Sequence, residues 1–347
     1  MKKKTRTAII KITGLVLLAG LMILLFRPTF TPRIKTKNGI SELKKVLIND
    51  EELEVMIRGC DKDNPVIIFV HGGPCCSEIP YVRKYQKEWE KEFTLVHYDQ
   101  RGSGKSYAFG SDYRDVTATV HKEDLIAFTE YIENRLNKEK VILIGHSYGT
   151  YIALQAAAER PDLYSAYIGI GQMSDTIASE LDTLDRCIAA AQEEGNTKDE
   201  EALEAARESI EKGESLTSRS YVRKYGFGAR LIDDNADYLK AFFFSPEYNL
   251  LDGIRMYTAS IKYQDELIKE ALEKPINEIV SDIDMPVYFV MGSYDGMTSP
   301  KTAKDYLESM GGEGEREFVT FEESAHYPQF EEKDRFGEWL KETFIFE

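Results

Sequence analysis

At 347 residues, 42% of them hydrophobic, the chain is long enough for one large core, or for a core carrying an inserted lobe. Its net charge of −16 argues against the basic footprint of a nucleic-acid binder. Four cysteines are too few for a disulfide framework. Their spacing, with Cys75 beside Cys76, matches no zinc pattern, so they read as ordinary buried or loop thiols.

The charge is uneven. Residues 1–37 hold nine Lys or Arg and no acid. Within them Ile12 to Phe26, ITGLVLLAGLMILLF, is uncharged. Extended back to Ala8 at the cost of Lys11, the run reaches about 19 residues, near the minimum for crossing a bilayer. The following RPTFTPR offers no small-x-small cleavage site, so an uncleaved transmembrane anchor is favoured over a cleaved signal peptide or a buried helix. A slight excess of positive charge on the N-terminal flank favours an extracytoplasmic body. Thr29 to Lys37, with Pro32 inside it, Pro28 just before it and no apolar period, reads as a linker.

LKKVLIN and LEVMIR, separated by acidic residues, then suggest an antiparallel hairpin at a sheet edge. Short apolar runs follow at 66–70, 93–98, 141–144, 166–170, 287–291 and 318–321. They are continuous rather than alternating, as expected of strands buried on both faces of a mostly parallel sheet. Helical patterns near 79–91, 120–137, 149–160, 300–310 and 330–343 lie between them. The alternation predicts a doubly wound α/β fold. From Met173 to Ile283 the rhythm stops: the stretch is helical and polar, with 24 Asp or Glu against 13 Lys or Arg. It reads as a helical cap inserted between two strands. The expected organisation is an anchor and linker (1–37), a core in two parts (38–172 and 284–347) and the cap (173–283). Most cap acids read as solvated helix faces. YLKAFFFSPEY (238–248) reads as the cap's underside or its core.

Ser147 stands in GHSYG, after VILI and before a Pro-terminated helix. A nucleophile on a strand-to-helix elbow adopts strained angles and needs small flanks, which Gly145 and Gly149 supply. A serine hydroxyl needs a base. Of five histidines, His326 in FEESAHYPQFE follows the last strand on the same sheet edge as Ser147. His146 adjoins the serine and so points elsewhere, His97 lies within a strand, His121 lies on a helix, and His71 reads as a brace for its loop. Asp295, in the tight loop after VYFVM, is the carboxylate expected to orient His326. Asp99 instead reads as tying down the Gly102–Gly104 turns. The order Ser147, Asp295, His326 is that of a G-x-S-x-G hydrolase. HGGP, directly after VIIFV, lets backbone N–H groups approach a ligand, so the oxyanion hole is assigned to the N–H groups of Gly73 and Tyr148.

Together HGGP, YDQRGSGKS, GHSYG, GSYDGMTSP and SAHYP resemble the α/β-hydrolase fold, and within it the proline iminopeptidase family of serine aminopeptidases. The resemblance spans about residues 40–172 and 284–347. It implies cofactor-free release of an N-terminal residue, often proline, from a small peptide by an acyl-enzyme route, with no metal. In that family the position of Cys75 is usually glycine, that of Tyr148 is often Trp, and acidic cap residues grip the substrate's free amine; no motif here matches those acids. The alternatives are a carboxylic-ester or other small-acyl hydrolase and, in another class, a non-catalytic surface binding module on a hydrolase fold. A serine at the elbow argues against epoxide hydrolases and dehalogenases, which need a carboxylate there.

Overall fold

The computed structural model describes residues 2–345, apart from 112, 114 and 115. Eight strands follow in chain order: β1 Ile40–Ile48, β2 Glu51–Gly59, β3 Val66–Val70, β4 Thr94–Tyr98, β5 Val141–His146, β6 Tyr164–Ile170, β7 Val287–Gly292 and β8 Arg316–Phe321. They form one sheet in the order β1-β2-β4-β3-β5-β6-β7-β8. β1 and β2 are an antiparallel hairpin at one edge, β2 is antiparallel to β4, and the remaining pairs are parallel. The hairpin turns at Asn49 and Asp50, both at positive φ, which suits the sheet's twist.

The uninterrupted apolar runs are two interleaved faces. In β3, Val66, Ile68 and Val70 point into one core while Ile67 and Phe69 point into the other. In β5, Val141 and Leu143 likewise oppose Ile142 and Ile144. Helices Ala118–Leu136 and Tyr148–Glu159 cover the first face, with Leu125, Phe128, Ile132 and Ile152 fully buried. Helix Lys333–Phe344 covers the second with Phe336 and Leu340. The helix expected near 79–91 is instead a short helix, Arg83–Gln86, and a 3₁₀ turn, Trp89–Lys91. The break delivers Tyr81 and Tyr85 to one cluster and Trp89 to another, which a straight helix with one apolar face would not do.

Between β6 and β7 the described residues form helices and no strand of the sheet. Thr176–Glu193 packs a local core of Leu184, Cys187, Ile188, Leu203, Ile210 and Val222. The long helix Leu250–Glu273 starts at a capping box made by Asn249 and Asp252. It sinks Tyr263, Leu267 and Ala271 into the main core, which joins this helical layer to the sheet.

The N-terminal helix, Lys2–Phe26, holds one stretch, Arg6–Phe26, long and apolar enough to cross a membrane, with none of it buried. The segment after it is fastened to the body. Arg27 donates to the carbonyls of Ser245 and Tyr248, Phe30 N–H to Pro246 O at 2.9 Å, and Arg58 to Pro32 O at 2.7 Å.

Candidate active site

β3 and β5 are neighbours, but the chain leaves β3 for β4 on one side and comes back to β5 on the other. Their carboxyl ends therefore open a crevice at a reversal of strand order. One wall is the His71–Pro74 turn, the other Ser147. Ser147 has φ 54 and ψ −125, a backbone that costs a non-glycine residue about 1–3 kcal/mol. The crowding behind it is measurable. A Cβ on Gly149 would lie 2.0 Å from Val70 O, and one on Gly145 would lie 2.7 Å from Thr150 Cα. Ser147 N–H donates to Ile170 O at 2.9 Å, fixing the elbow to β6.

The loops after β7 and β8 are pressed together because Gly292 has no side chain: a Cβ there would lie 2.0 Å from Ala325 O. That contact brings Asp295 to His326, with Oδ2 2.9 Å from Nδ1. Asp295 is fully buried. Burial alone would raise its pKa, but the His326 ring and the N–H groups of Thr298 and Met297 hold it below the usual carboxylate range. An ionised Asp295 has no proton to give, so Nδ1 carries the hydrogen and Nε2 is the basic nitrogen. The ring rests on Gly171, where a Cβ would lie 2.7 Å from Cε1. Gly171 follows Ile170, the residue that anchors Ser147 N–H. No hydrogen bond joins Ser147 Oγ to His326 Nε2 among the described residues; catalytic hydrogen bonds commonly tighten only when substrate is bound.

Gly73 and Tyr148 line the same cavity as Ser147. Neither backbone N–H donates a hydrogen bond among the described residues, and Tyr148 begins its helix, where N–H groups have no intrahelical partner. A Cβ on Gly72 would meet Ser147 Cβ at 2.8 Å and Tyr148 N at 3.3 Å. His71 braces the turn: Nδ1 lies 3.0 Å from Gly72 O, and Nε2 faces Ser103 Oγ at 3.1 Å and Gln100 N–H at 3.2 Å. Gln264, from the long helix, donates to Gly73 O at 3.1 Å.

The cavity holds about 160 Å³. Depressions of about 590 and 640 Å³ elsewhere on the surface contain none of these groups, so chemistry rather than size identifies the site. Met173, Leu216, Ile268 and Ala271 make part of its wall apolar. Glu180 is the one carboxylate among the described residues that line it. It is buried and already held: Arg219 donates to Oε1 at 2.6 Å and Oε2 at 3.1 Å, and Thr217 N–H to Oε2 at 2.9 Å. Among the described residues no group of three or more His, Cys, Asp or Glu is arranged to hold a metal ion.

The other histidines have structural partners. His97 faces Gln86 Oε1 at 2.7 Å and stacks on Phe69, and His121 bonds Arg101 O at 3.0 Å. His146 is turned away from Ser147 as its position in the elbow requires, but the partners it finds are not visible in the sequence. Nδ1 lies 2.6 Å from Glu78 Oε1 and Nε2 3.1 Å from the backbone oxygen of His326. Both partners accept, so both nitrogens carry hydrogen and His146 is an imidazolium. Burial works against that charge, but Glu78 more than offsets it and raises the His146 pKa, while Glu78 is itself held low. Because His146 adjoins Ser147 in the chain, this buried pair fixes the His326 backbone beside the elbow. Glu78→Ala is expected to cost about 3–5 kcal/mol, the usual effect of stranding one member of a buried pair. The raised His146 contributes below pH 6.5 and the lowered Glu78 above pH 4.5, so the loss is largest between those values. Thermal unfolding of both proteins across that range measures it.

A parallel sheet edged by an antiparallel hairpin, with a strained serine after β5 and an Asp–His pair from the loops after β7 and β8, defines a hydrolase class. The chain belongs to the α/β-hydrolase fold family, whose model matches residues 65–333. It is a hydrolase of the proline iminopeptidase-like kind. It is 30% identical to a protein named probable aminopeptidase YbaC from Bacillus subtilis (strain 168), over 88% of this chain and 97% of that one. It is 25% identical to the proline iminopeptidase of Heyndrickxia coagulans, over 78% and 87% of the two chains. The crystal structure of proline iminopeptidase from Mycobacterium smegmatis superposes with a TM-score of 0.60 at 16% identity, over 87% of this chain and 97% of that one, a likeness of fold.

Proposed function

We propose that this chain is a membrane-anchored serine hydrolase, its body outside the cytoplasm, that releases a small N-terminal residue from peptides through an acyl-enzyme. Ser147 Oγ attacks the carbonyl as His326 Nε2 takes its proton, and Asp295 steadies the imidazolium. The N–H groups of Gly73 and Tyr148 receive the oxyanion. The tetrahedral intermediate collapses as His326 returns the proton to the leaving amine. Water, activated by the same histidine, then frees the acyl group.

The observation that carries the aminopeptidase reading is the placement of Glu180 in the Ser147 cavity. A cavity of about 160 Å³, below the ~300–1,000 Å³ usual for drug-sized ligands, suits one small residue rather than an extended chain. Glu180 Oε1 accepts a single hydrogen bond and keeps capacity for a substrate ammonium. A second reading, hydrolysis of small acyl esters, is favoured by the Arg219 pairing, which already balances the Glu180 charge, and by the apolar wall. A panel of prolyl, alanyl and other aminoacyl arylamides beside short acyl esters separates the two. Glu180→Gln is expected to raise KM at least tenfold for substrates with a free amine, the loss of about 1.4 kcal/mol of binding, and to leave acyl esters within twofold. Activity confined to blocked or acyl substrates would remove the aminopeptidase reading.

A further inference from the structure

The aromatic run 238–248 divides on folding. Phe242 and Tyr248 are buried with Ile79, Tyr81 and Met256, as a core cluster should be. Phe244 is 81% exposed at the end of helix Asp234–Phe244, and Leu239 is 60% exposed on the same helix. Packing of the body does not account for them, and their position is informative. Ser245, next to Phe244, accepts a hydrogen bond from Arg27, the first residue after the N-terminal helix. Phe30, 59% exposed, is tied by its N–H to Pro246 O. Phe26, 57% exposed, ends the apolar helix itself. Three unburied phenylalanines therefore surround the point where the apolar helix meets the body.

Cations share that place. Arg83, Lys84, Lys240 and Phe244 line one open depression of about 370 Å³. The acids there face inward: Glu247, buried, accepts from Arg83 at 2.8 Å, and Asp237, buried, accepts from Lys84 at 2.7 Å. Lys240 and Arg27 form no ion pair with a carboxylate among the described residues. Apolar rings flanked by basic groups match the boundary between acyl chains and anionic headgroups, and on their far side Lys84 and Lys240 border a depression that carries the exposed Asp233 and Asp334.

We infer that this face is a foot that seats the body on the anionic surface of the membrane holding the N-terminal helix. Phe30 and Phe244 enter the headgroup layer, and Arg83, Lys84 and Lys240 meet lipid phosphates. The inference rests on the anchor reading above and adds to it a fixed posture. The helix exit is strapped to the body through Arg27, Phe30 and Pro32, so the hydrolase lies against the bilayer instead of swinging on a tether. The helical layer over the active site, which supplies Ser245 and Tyr248, faces that surface.

The test uses the full chain reconstituted in vesicles of phosphatidylcholine with and without phosphatidylglycerol. Leu17→Cys, Phe244→Cys and Glu313→Cys variants carry a fluorophore, with the unsubstituted chain as labelling blank and quencher-bearing lipid as the reporter. Glu313 is exposed beside β8, at the opposite edge of the sheet from the strap. The foot requires lipid quenching at positions 17 and 244 but not at 313. Position 244 should be quenched more strongly with phosphatidylglycerol, and Lys240→Glu should weaken quenching at 244 while leaving that at 17 unchanged. Quenching at 17 with none at 244 beyond that at 313 overturns the foot and keeps the anchor. Equal quenching at 244 in the two lipids overturns the anionic contact. Absence of quenching at 17 removes the anchor and the foot with it.

Discussion

Replacing Ser147 with alanine is expected to lower kcat by about 10⁶-fold, the scale seen when a nucleophile is removed from a serine hydrolase, with thermal stability unchanged. Alanine at φ 54 carries the same backbone strain as serine, so the elbow has no new reason to rearrange. His326→Ala should cost as much, and the double variant no more than either, because a nucleophile without its base and a base without its nucleophile are equally idle. Asp295→Asn should cost about 10⁴-fold, since a neutral amide no longer requires hydrogen on Nδ1. A fluorophosphonate probe adds a direct readout: the parental chain forms a covalent adduct at Ser147 and the alanine variant forms none. Parental turnover in the Ser147 variant would end the serine mechanism, and absence of labelling in the folded parental chain would favour a binding module.

How much of this could be read from residues alone follows from what each feature depends on. The sheet was legible because burial on both faces leaves unbroken apolar runs, and the hairpin because a short acidic break separates LKKVLIN from LEVMIR. The elbow was legible because strand and helix nearly touch there, and only glycine survives 2.0 Å from Val70 O. Asp99 and Asp295 both follow strands, and their loops set their different uses. Asp99 Oδ2 takes Lys105 N–H at 2.7 Å and closes the Gly102–Gly104 turns, whereas Asp295 Oδ2 meets His326. Contacts between segments distant in sequence left no pattern to read. Glu78 is one acid among many until β5 brings His146 to it. Glu180 has the spacing of a solvated helix position and is buried only because Thr217 and Arg219 fold over it. The exposure of Phe244 could not be separated from the burial of Phe242, two positions away in the same apolar word.

Mild acid is expected to unfold the protein, and buried histidines are the cause. His71, His97 and His121 are buried, and burial lowers each from 6.5 to about 4. Between those values the unfolded chain binds protons that the folded chain refuses, so stability falls as pH falls, and the loss is complete once pH is below about 4. A shift of that size is worth roughly 3 kcal/mol per histidine, together comparable to the whole margin of about 5–15 kcal/mol that holds a typical fold. Asp99 works the other way. Burial raises it to about 6 despite its hydrogen bonds, so its folded form takes up a proton first and returns roughly 3 kcal/mol on acidification. The raised His146, Glu54 and Glu133 act in the same sense as Asp99, so the net loss is smaller than the three histidines alone would give. His71 also meets a geometric obstacle, because its Nε2 accepts from Gln100 N–H and a proton placed there would oppose a second donor. Acid should therefore loosen the Gly72–Gly73 turn early, and activity should decline at a higher pH than the global transition. Thermal melts of the full chain in detergent between pH 7 and pH 4 test the first claim, and activity across the same range tests the second. His121→Gln keeps a donor for Arg101 O but cannot titrate, so its stability should depend less steeply on pH, with about one proton less taken up on unfolding. A profile for that variant superimposable on the parental one would remove His121 from the cause.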